Sequence, residues 1–345
     1  MVGAGAIGCL VGGRLAGVGC QVVLLGRARL VETVTNKGLS LQWPDGRQQT
    51  VYPEAIESLA SLADLSSFDL VLLTVKSFDT EAAIAGLVDQ LAPQARVLSL
   101  QNGVGNEEFL AARLPEQAIL AGSITLPVAV PAIGKIIVTK EKGGIGLAPL
   151  SAGAAVADIA DLLRQAGFVV AEYERYQSLK WSKLLLNIIG NASSAILDMP
   201  PGQSLAHSKI FDLELAALRE ALAVMAALKI KVVAMPDYPL PWLALALRWL
   251  PTWLLRRALR PIMVGGRGDK LPSLQLDLRQ GRNQSEVQVL NGVIALQGER
   301  LGVAVPVNRT VSDILNGIVA GRIDWADYRG QPGALARKIA ELLNG

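Results

Sequence analysis

Met1-Val2-Gly3-Ala4-Gly5-Ala6-Ile7-Gly8 opens the chain and reads as the end of a buried strand, a tight glycine turn and the first turn of a helix. Gly3, Gly5 and Gly8 have the G-x-G-x-x-G spacing of a pyrophosphate cradle. The first glycine makes the turn, the second lets backbone approach phosphate, and the third lets helix and strand pack closely. With Ala6 and Ile7 they would turn free N–H groups and the positive end of a helix dipole toward an anion. A helix-like run Cys9 to Ala16, a turn at Gly17 to Gly19 and an apolar strand Val22 to Leu25 complete the unit. A strand needs about five residues, and only Met1 and Val2 precede Gly3. Either the strand is very short or the chain lacks its natural start. After Leu25 comes Gly26-Arg27-Ala28-Arg29, where NAD-binding chains place an acid for the adenosine ribose. Arginine there suits a 2′-phosphate, so the expected cofactor is NADP(H), with Arg27 on it. A solvated basic turn is the plainer alternative.

The pattern continues in strand–helix alternation. Leu39 to Trp43 and Gln49 to Tyr52 form a hairpin pattern around Pro44-Asp45-Gly46. Asp69 to Val75 is a continuous apolar run of the buried parallel kind, with Lys76 at its carboxyl end. Arg96 to Leu100 leads into Gln101-Asn102-Gly103-Val104-Gly105, a second polar, glycine-rich loop on the same sheet edge. A helix follows over Asn106 to Leu114, then strands over Ile119 to Val130, Lys135 to Thr139 and Gly144 to Ala148. A helix over Ala154 to Gln165 and a last strand over Phe168 to Tyr173 close residues 1–173 as an α/β domain with a Rossmann-type doubly wound sheet. From Tyr176 the apolar period is helical, over 176–190, 208–228, 273–301 and 307–319, so 174–345 is predicted to be an all-helical domain. A substrate cleft between the two domains is expected.

Composition excludes several classes. The 345 residues are 51% apolar and 18% charged, which is a globular balance, and a net charge of +3 is too small to suit nucleic acid. Two cysteines, Cys9 and Cys20, supply no disulfide framework and fit a reducing cytoplasm; no secretion signal precedes the glycine turn. The lone His207 has no partner at metal-ligand spacing, so no metal is expected. Residues 239–264 hold three of the six tryptophans, broken by Arg248, Pro251, Arg256, Arg257 and Arg260. Such a run does not span a membrane. It reads as a helical hairpin buried against the domain or a dimer partner, with a membrane-surface amphipath as the other reading. A membrane is not the expected partner; a homodimer is left open.

Lys183 and Asn187 stand four residues apart on one predicted helix, and Asn191 would continue that face. Far downstream, Ser285-Glu286-Val287-Gln288-Val289-Leu290-Asn291-Gly292 puts a carboxylate on another mostly apolar helix. A lysine and a carboxylate facing a cleft tune each other's pKa, although a plain structural ion pair fits the pattern equally well.

Taken in order, the glycine turn, Arg27, Lys76, Asn102-Gly103, the W-x-K-L-x-x-N from Trp181 to Asn187, Ser273 with Asp277, the stretch around Glu286 and Gly302 to Asn308 resemble the ketopantoate reductase (2-dehydropantoate 2-reductase) family over nearly the whole chain. The resemblance implies an NADP-binding Rossmann domain, a helical C-terminal domain and NADPH-dependent reduction of ketopantoate to pantoate for coenzyme A synthesis. It implies Lys183 as general acid and Glu286 as the carboxylate orienting the reacting oxygen. Ser273 would bind the substrate carboxylate, with Asn187 and Asn191 as nearby amides. Asn102 would place nicotinamide and substrate, and Lys76 would sit at the cofactor edge. Pro201 and Lys270 stand where relatives often carry asparagines that grip the distal hydroxyl. Another small 2-oxo acid is therefore the alternative substrate, and a non-catalytic NADP-binding protein the alternative class.

Overall fold

The computed structural model describes residues 1–151, 155–267 and 270–344. They form two compact units. One is Met1–Lys180 with Ala234–Pro239; the other is Trp181–Val233 with the chain from Leu240 onward.

The first unit is α/β. In chain order its elements are α1 (Ala6–Gly17), β1 (Val23–Leu25), α2 (Ala28–Lys37), β2 (Leu39–Gln42), β3 (Gln48–Val51), β4 (Glu54–Ile56), β5 (Leu70–Leu73), α3 (Thr80–Ile84), β6 (Arg96–Ser99), α4 (Asn106–Arg113), β7 (Ala118–Ile124), β8 (Val128–Ala132), β9 (Lys135–Val138), β10 (Ile145–Pro149), α5 (Ala157–Gln165) and β11 (Val170–Glu172). The predicted start of α5 at Ala154 lies outside the described residues.

Val2 alone acts as the first strand. It makes parallel bridges to Leu25 of β1 and to Leu73 of β5, which joins the pair β4–β1 to the row β5–β6–β7–β10–β11. Its N–H donates to Leu72 O at 2.8 Å and its carbonyl accepts from Thr74 N at 2.9 Å, while Leu25 N reaches Met1 O at 2.9 Å. All pairings are parallel except β7 with β10. Strand residues alternate between two cores. Leu72, Leu98 and Leu120 pack with α1 and α5, whereas Val71, Leu73, Val97 and Ile119 pack with α3 and α4. Burial on both faces is why these strands read as unbroken apolar runs.

The stretch Ile119–Val130 is two strands rather than the one expected. Pro127 has no N–H for a ladder; its carbonyl instead accepts from Thr139 N at 3.0 Å, and β8 leaves for a separate sheet of order β3–β2–β9–β8. That sheet contains the predicted hairpin as β2 and β3.

The second unit is helical: α6 (Tyr176–Ile188, begun in the first unit), α7 (Ala192–Leu197), α8 (Pro201–Ala206), α9 (Ser208–Ala227), α10 (Leu240–Trp249), α11 (Thr252–Arg267), α12 (Ser273–Arg279), α13 (Asn291–Leu301), α14 (Pro306–Val319) and α15 (Pro332–Asn344). Two sequence expectations need correction. Residues 273–301 are not one helix: α12 ends before Gly281 at φ +67°, and Glu286–Val289 is a short 3-10 turn capped by Ser285, whose Oγ accepts from Val287 N at 3.2 Å. Glu286 thus opens that turn instead of lying on a long helix. Asn191 does not extend the Lys183–Asn187 face either. Gly190 adopts φ +59° and ends the run, and buried Glu214 of α9 fixes the break by accepting from Gly190 N at 2.9 Å and from Ser193 Oγ. Asn191 is consequently the residue that precedes α7.

Candidate functional site

In the α/β unit the sequence-predicted cofactor residues fall on one edge of the sheet. Val2 is the position where strand order reverses, with β1 and β4 on one side and β5 onward on the other. Open α/β sheets bind ligands outside the carboxyl ends of strands at such a switch point. From those ends run, side by side, Gly3 after Val2, Gly26-Arg27 after β1, Lys76 after β5 and Asn102 after β6.

The three glycines have separable geometry. Gly3 has φ +100°, and a Cβ on it would lie 2.7 Å from Val75 N. A Cβ on Gly8 would lie 2.3 Å from Gly3 O and 2.6 Å from Thr74 Oγ1, so α1 can cross the turn only with glycine there. A Cβ on exposed Gly5 would meet nothing within 4 Å. The turn is held from below, since Thr74 Oγ1 donates to Gly3 O at 2.6 Å and Gly5 N to the same oxygen at 2.7 Å. Gly5 is the N-cap of α1; no side chain caps that end, and no acid stands in the first turn where Ala6, Ile7 and Gly8 lie. An open, acid-free helix N-terminus with glycine at the closest approach fits a pyrophosphate. Arg27 is exposed at the N-cap of α2, which likewise has no acid in its first turn.

The loops bearing Lys76 and Asn102 are cross-tied by groups the sequence did not single out. Gln101 is buried; its Nε2 donates to Val75 O at 3.1 Å and to Thr80 Oγ1 at 2.7 Å. Asn106 Nδ2 donates to Asn102 O at 2.9 Å. Beneath them Lys180 and Glu107 form an ion pair at 2.9 Å with side chains 2% and 1% exposed. Lys180 Nζ also donates to Gln101 O at 2.6 Å and Gly122 O at 3.3 Å. Asn102 itself is exposed above this network.

In the helical unit, Lys183 and Asn187 are half-buried and one turn apart on α6. Buried Asn191 accepts through Oδ1 from Leu274 N at 3.4 Å, which brings it beside Ser273 at the start of α12. Glu286 is buried. The turn it opens leads into Asn291, whose Nδ2 donates to Asn308 Oδ1 at 2.9 Å. Asn308 in turn donates through Nδ2 to Glu220 at 2.7 Å, and Glu220 also accepts from the N–H groups of Val307 and Asn308 at the head of α14. Burial raises the Glu220 pKa despite these bonds. Burial also works against ionisation of Asp198, but hydrogen bonds from Gln275 and Arg279 and the charges of Arg279 and Arg329 outweigh it and hold that carboxyl below its usual range. Acids set singly in apolar helices, as Glu214 and Glu220 are in α9, were the available signal for this scaffold. Pro201 is buried at the first position of α8, Lys270 is exposed, and His207 is the N-cap of α9.

Comparison with known proteins agrees with this fold. The family model described as ketopantoate reductase PanE/ApbA matches residues 1–152, and its C-terminal counterpart matches 175–319. A crystal structure of a PanE/ApbA family ketopantoate reductase from Ralstonia eutropha JMP134 is 30% identical with TM-score 0.77, covering 93% of this chain and 97% of that one. A curated 2-dehydropantoate 2-reductase of Halobacterium salinarum is 28% identical over 326 residues, 91% of this chain and 96% of its own length. D-mandelate dehydrogenase, solved with NADH and anilino(oxo)acetate, has TM-score 0.76 at 21% identity over 93% of this chain and 97% of its own, a likeness of fold alone.

Proposed function

Since the chain belongs to the ketopantoate reductase PanE/ApbA family, we propose that it is an NADPH-dependent reductase of a small 2-oxo acid, with ketopantoate as the first candidate. The observation that carries this reading is the shared edge: an open glycine turn, Arg27, Lys76 and Asn102 on neighbouring parallel strand ends. Gly3, Gly5, Ala6, Ile7 and Gly8 would hold the pyrophosphate, Arg27 the 2′-phosphate, and Lys76 and Asn102 the nicotinamide side. Bound NADPH supplies the hydride.

The remaining steps belong to this chain's own side chains. Reduction builds negative charge on the ketone oxygen. The Lys183 ammonium stabilises that charge and donates the proton from Nζ, and the Glu286 carboxylate orients the lysine and the reacting oxygen. Ser273, Asn187 and Asn191 bind the substrate's carboxylate and polar groups. The bond from the α12 backbone, which holds Asn191 beside Ser273, supports this reading. On this reading the product is pantoate, the reaction feeds pantothenate and coenzyme A synthesis, and the enzyme works in the cytoplasm. No helix among the described residues is long and apolar enough to cross a membrane.

A second substrate reading has its own observation. Pro201, buried at the start of α8, and Lys270 stand where the family resemblance puts asparagines for the distal hydroxyl, and Pro201 offers no side-chain donor. A 2-oxo acid without that hydroxyl would lose nothing at such a site.

The test is NADPH oxidation over a panel of 2-oxo acids, with NADH as control and Lys183→Ala as the key variant. Loss of a general acid costs roughly 10²- to 10⁴-fold in turnover, while fluorescence titration should show NADPH still binding. Unchanged turnover in that variant would remove Lys183 from the chemistry. The highest specificity constant in the panel decides the substrate.

A further inference from the structure

The segment carrying α10 and α11 packs inward on α9 and, through α11, on α8. Leu240, Leu247 and Leu255 are buried beneath it. Arg219 of α9 grips the corner, donating to Leu247 O, Leu250 O and Thr252 Oγ1, each at 3.0 Å. Arg256 of α11 bonds Asp212 of α9 through Nε at 3.2 Å. Yet the same segment exposes its largest apolar side chains. Trp242, Trp249 and Trp253 are 72%, 69% and 68% exposed, and Leu245 and Leu250 are exposed between them. Trp242, Leu245 and Trp249 follow helical spacing along α10, and Leu250 and Trp253 carry the stripe round the corner into α11. Scattered exposed apolar residues are ordinary, but five within twelve residues, three of them tryptophan, mark a binding surface.

We propose that this corner is a docking face for an anionic lipid surface. The choice of partner rests on charge. Residues 238–268 contain Arg248, Arg256, Arg257, Arg260 and Arg267 and not one acid. Arg248 and Arg257 are exposed beside the tryptophans, and the Arg248 guanidinium lies 5.3 Å from the Trp249 ring centroid. Tryptophan is the side chain that settles at the level of lipid headgroups, and arginine pairs with phosphate in two-pronged fashion. Helices of 10 and 16 residues are too short to span a bilayer but long enough to lie in its surface. A second copy of the chain is the poorer match, because two-fold pairing sets a patch against itself. Residues 238–268 hold no acid that the patch on a second copy could offer to these arginines.

The test uses the full chain with vesicles of phosphatidylcholine alone and of phosphatidylcholine containing one third phosphatidylglycerol. Co-sedimentation and tryptophan emission are the readouts. The expected result is pelleting and a blue shift with the anionic vesicles, weakened by salt, and neither with the neutral ones. Trp242→Ser/Trp249→Ser/Trp253→Ser should bind at least about tenfold more weakly while keeping its circular dichroism and melting midpoint. Arg248→Gln/Arg257→Gln, which leaves the apolar stripe untouched, should lose the preference for anionic lipid. A wild-type chain that stays in the supernatant with anionic vesicles overturns the proposal. So does a triple variant that pellets as strongly as wild type. A dimer seen by light scattering and dissolved by the triple variant, without vesicle binding, would assign the face to a second copy and equally overturn it.

Discussion

Replacing Lys180 by methionine keeps the length of the side chain and deletes its charge, at the point where the loop of Asn102 is tied down. The ammonium is held within the α/β unit by an ion pair with Glu107 at 2.9 Å and hydrogen bonds to Gln101 O at 2.6 Å and Gly122 O at 3.3 Å. With 2% and 1% exposure, neither partner has water to fall back on. Lys180→Met leaves a carboxylate buried without its counter-charge and two carbonyls without this donor. Breaking a buried pair from one side costs about 3–5 kcal/mol, which for a unit of this size is on the order of 10 °C in melting midpoint. Glu107→Leu should cost a similar amount, since it strands the lysine instead. The double variant Lys180→Met/Glu107→Leu removes both charges together and should recover at least half of the sum. Urea unfolding followed by circular dichroism, run as a double-mutant cycle, measures this coupling. Single variants that each lose less than about 1 kcal/mol, the range of exposed pairs, would refute the reasoning and mean that water reaches the pair.

Three further outcomes follow from the same unit. Gly5→Ala should keep the melting midpoint but weaken NADPH binding, because its Cβ meets no protein atom, whereas Gly8→Ala should lose about 1–3 kcal/mol of stability by overpacking against Gly3 O, 2.3 Å away; equal effects in both variants would contradict this division. Arg27→Asp should shift the NADPH-to-NADH ratio of specificity constants about tenfold or more toward NADH, the worth of a charge-assisted hydrogen bond, and an unchanged ratio would take Arg27 off the 2′-phosphate. Burial pushes the Cys9 thiol up to about 12 from an ordinary value of 9.0. The unfolded thiol therefore ionises first, and the stability present below pH 9 falls by about 1.4 kcal/mol per pH unit above it. Cys9→Ala should lack that slope in alkaline unfolding curves, and iodoacetamide at pH 8 should label Cys9 only after denaturation.

The parts of this molecule legible in its sequence are those set by local chemistry. A glycine triplet between an apolar residue and a helical run admits few structures, and strands covered on both faces are recognisable as apolar runs such as Leu70–Leu73. Since Lys76 and Asn102 directly follow such runs, their place on the sheet edge could be read as well. The features that escaped depend on partners distant in sequence. The predicted helix 176–190 ends at Gly190 as α6 nearly does, but what holds the break there, Glu214 from α9, is distant in sequence. Nothing near Lys180 says that it, and not Lys183 one turn later, is the buried cation, because its partner is on α4. The division of Ile119–Val130 followed from Pro127, which was visible, but the destination of β8 in a second sheet follows from its pairing with β9. Glu286 was found by motif while its local structure was not, since Ser285 caps a turn of four residues as readily as it caps a long helix.

At the sheet edge Val2 ties β1 to β5 through one parallel bridge to each. Cofactor-side groups must be held at the spacing of adjacent strands, about 4.8 Å, and that spacing is enforced only where β1 and β5 are bridged. Val2 bridges them at Leu25 and Leu73, the last residues of each strand and the ones nearest Arg27 and Lys76. Farther from the edge, Met1 N donates to Val23 O at 2.8 Å, and Val23, Leu70 and Val71 line an apolar groove. Thr74 adds a second tie by holding Gly3 O, and Gln101 a third by holding Val75 O. The ties are thus concentrated in one layer, at the carboxyl ends of Val2, β1, β5 and β6. Pairing deeper in the sheet serves stability, and the two apolar cores on its faces already supply that.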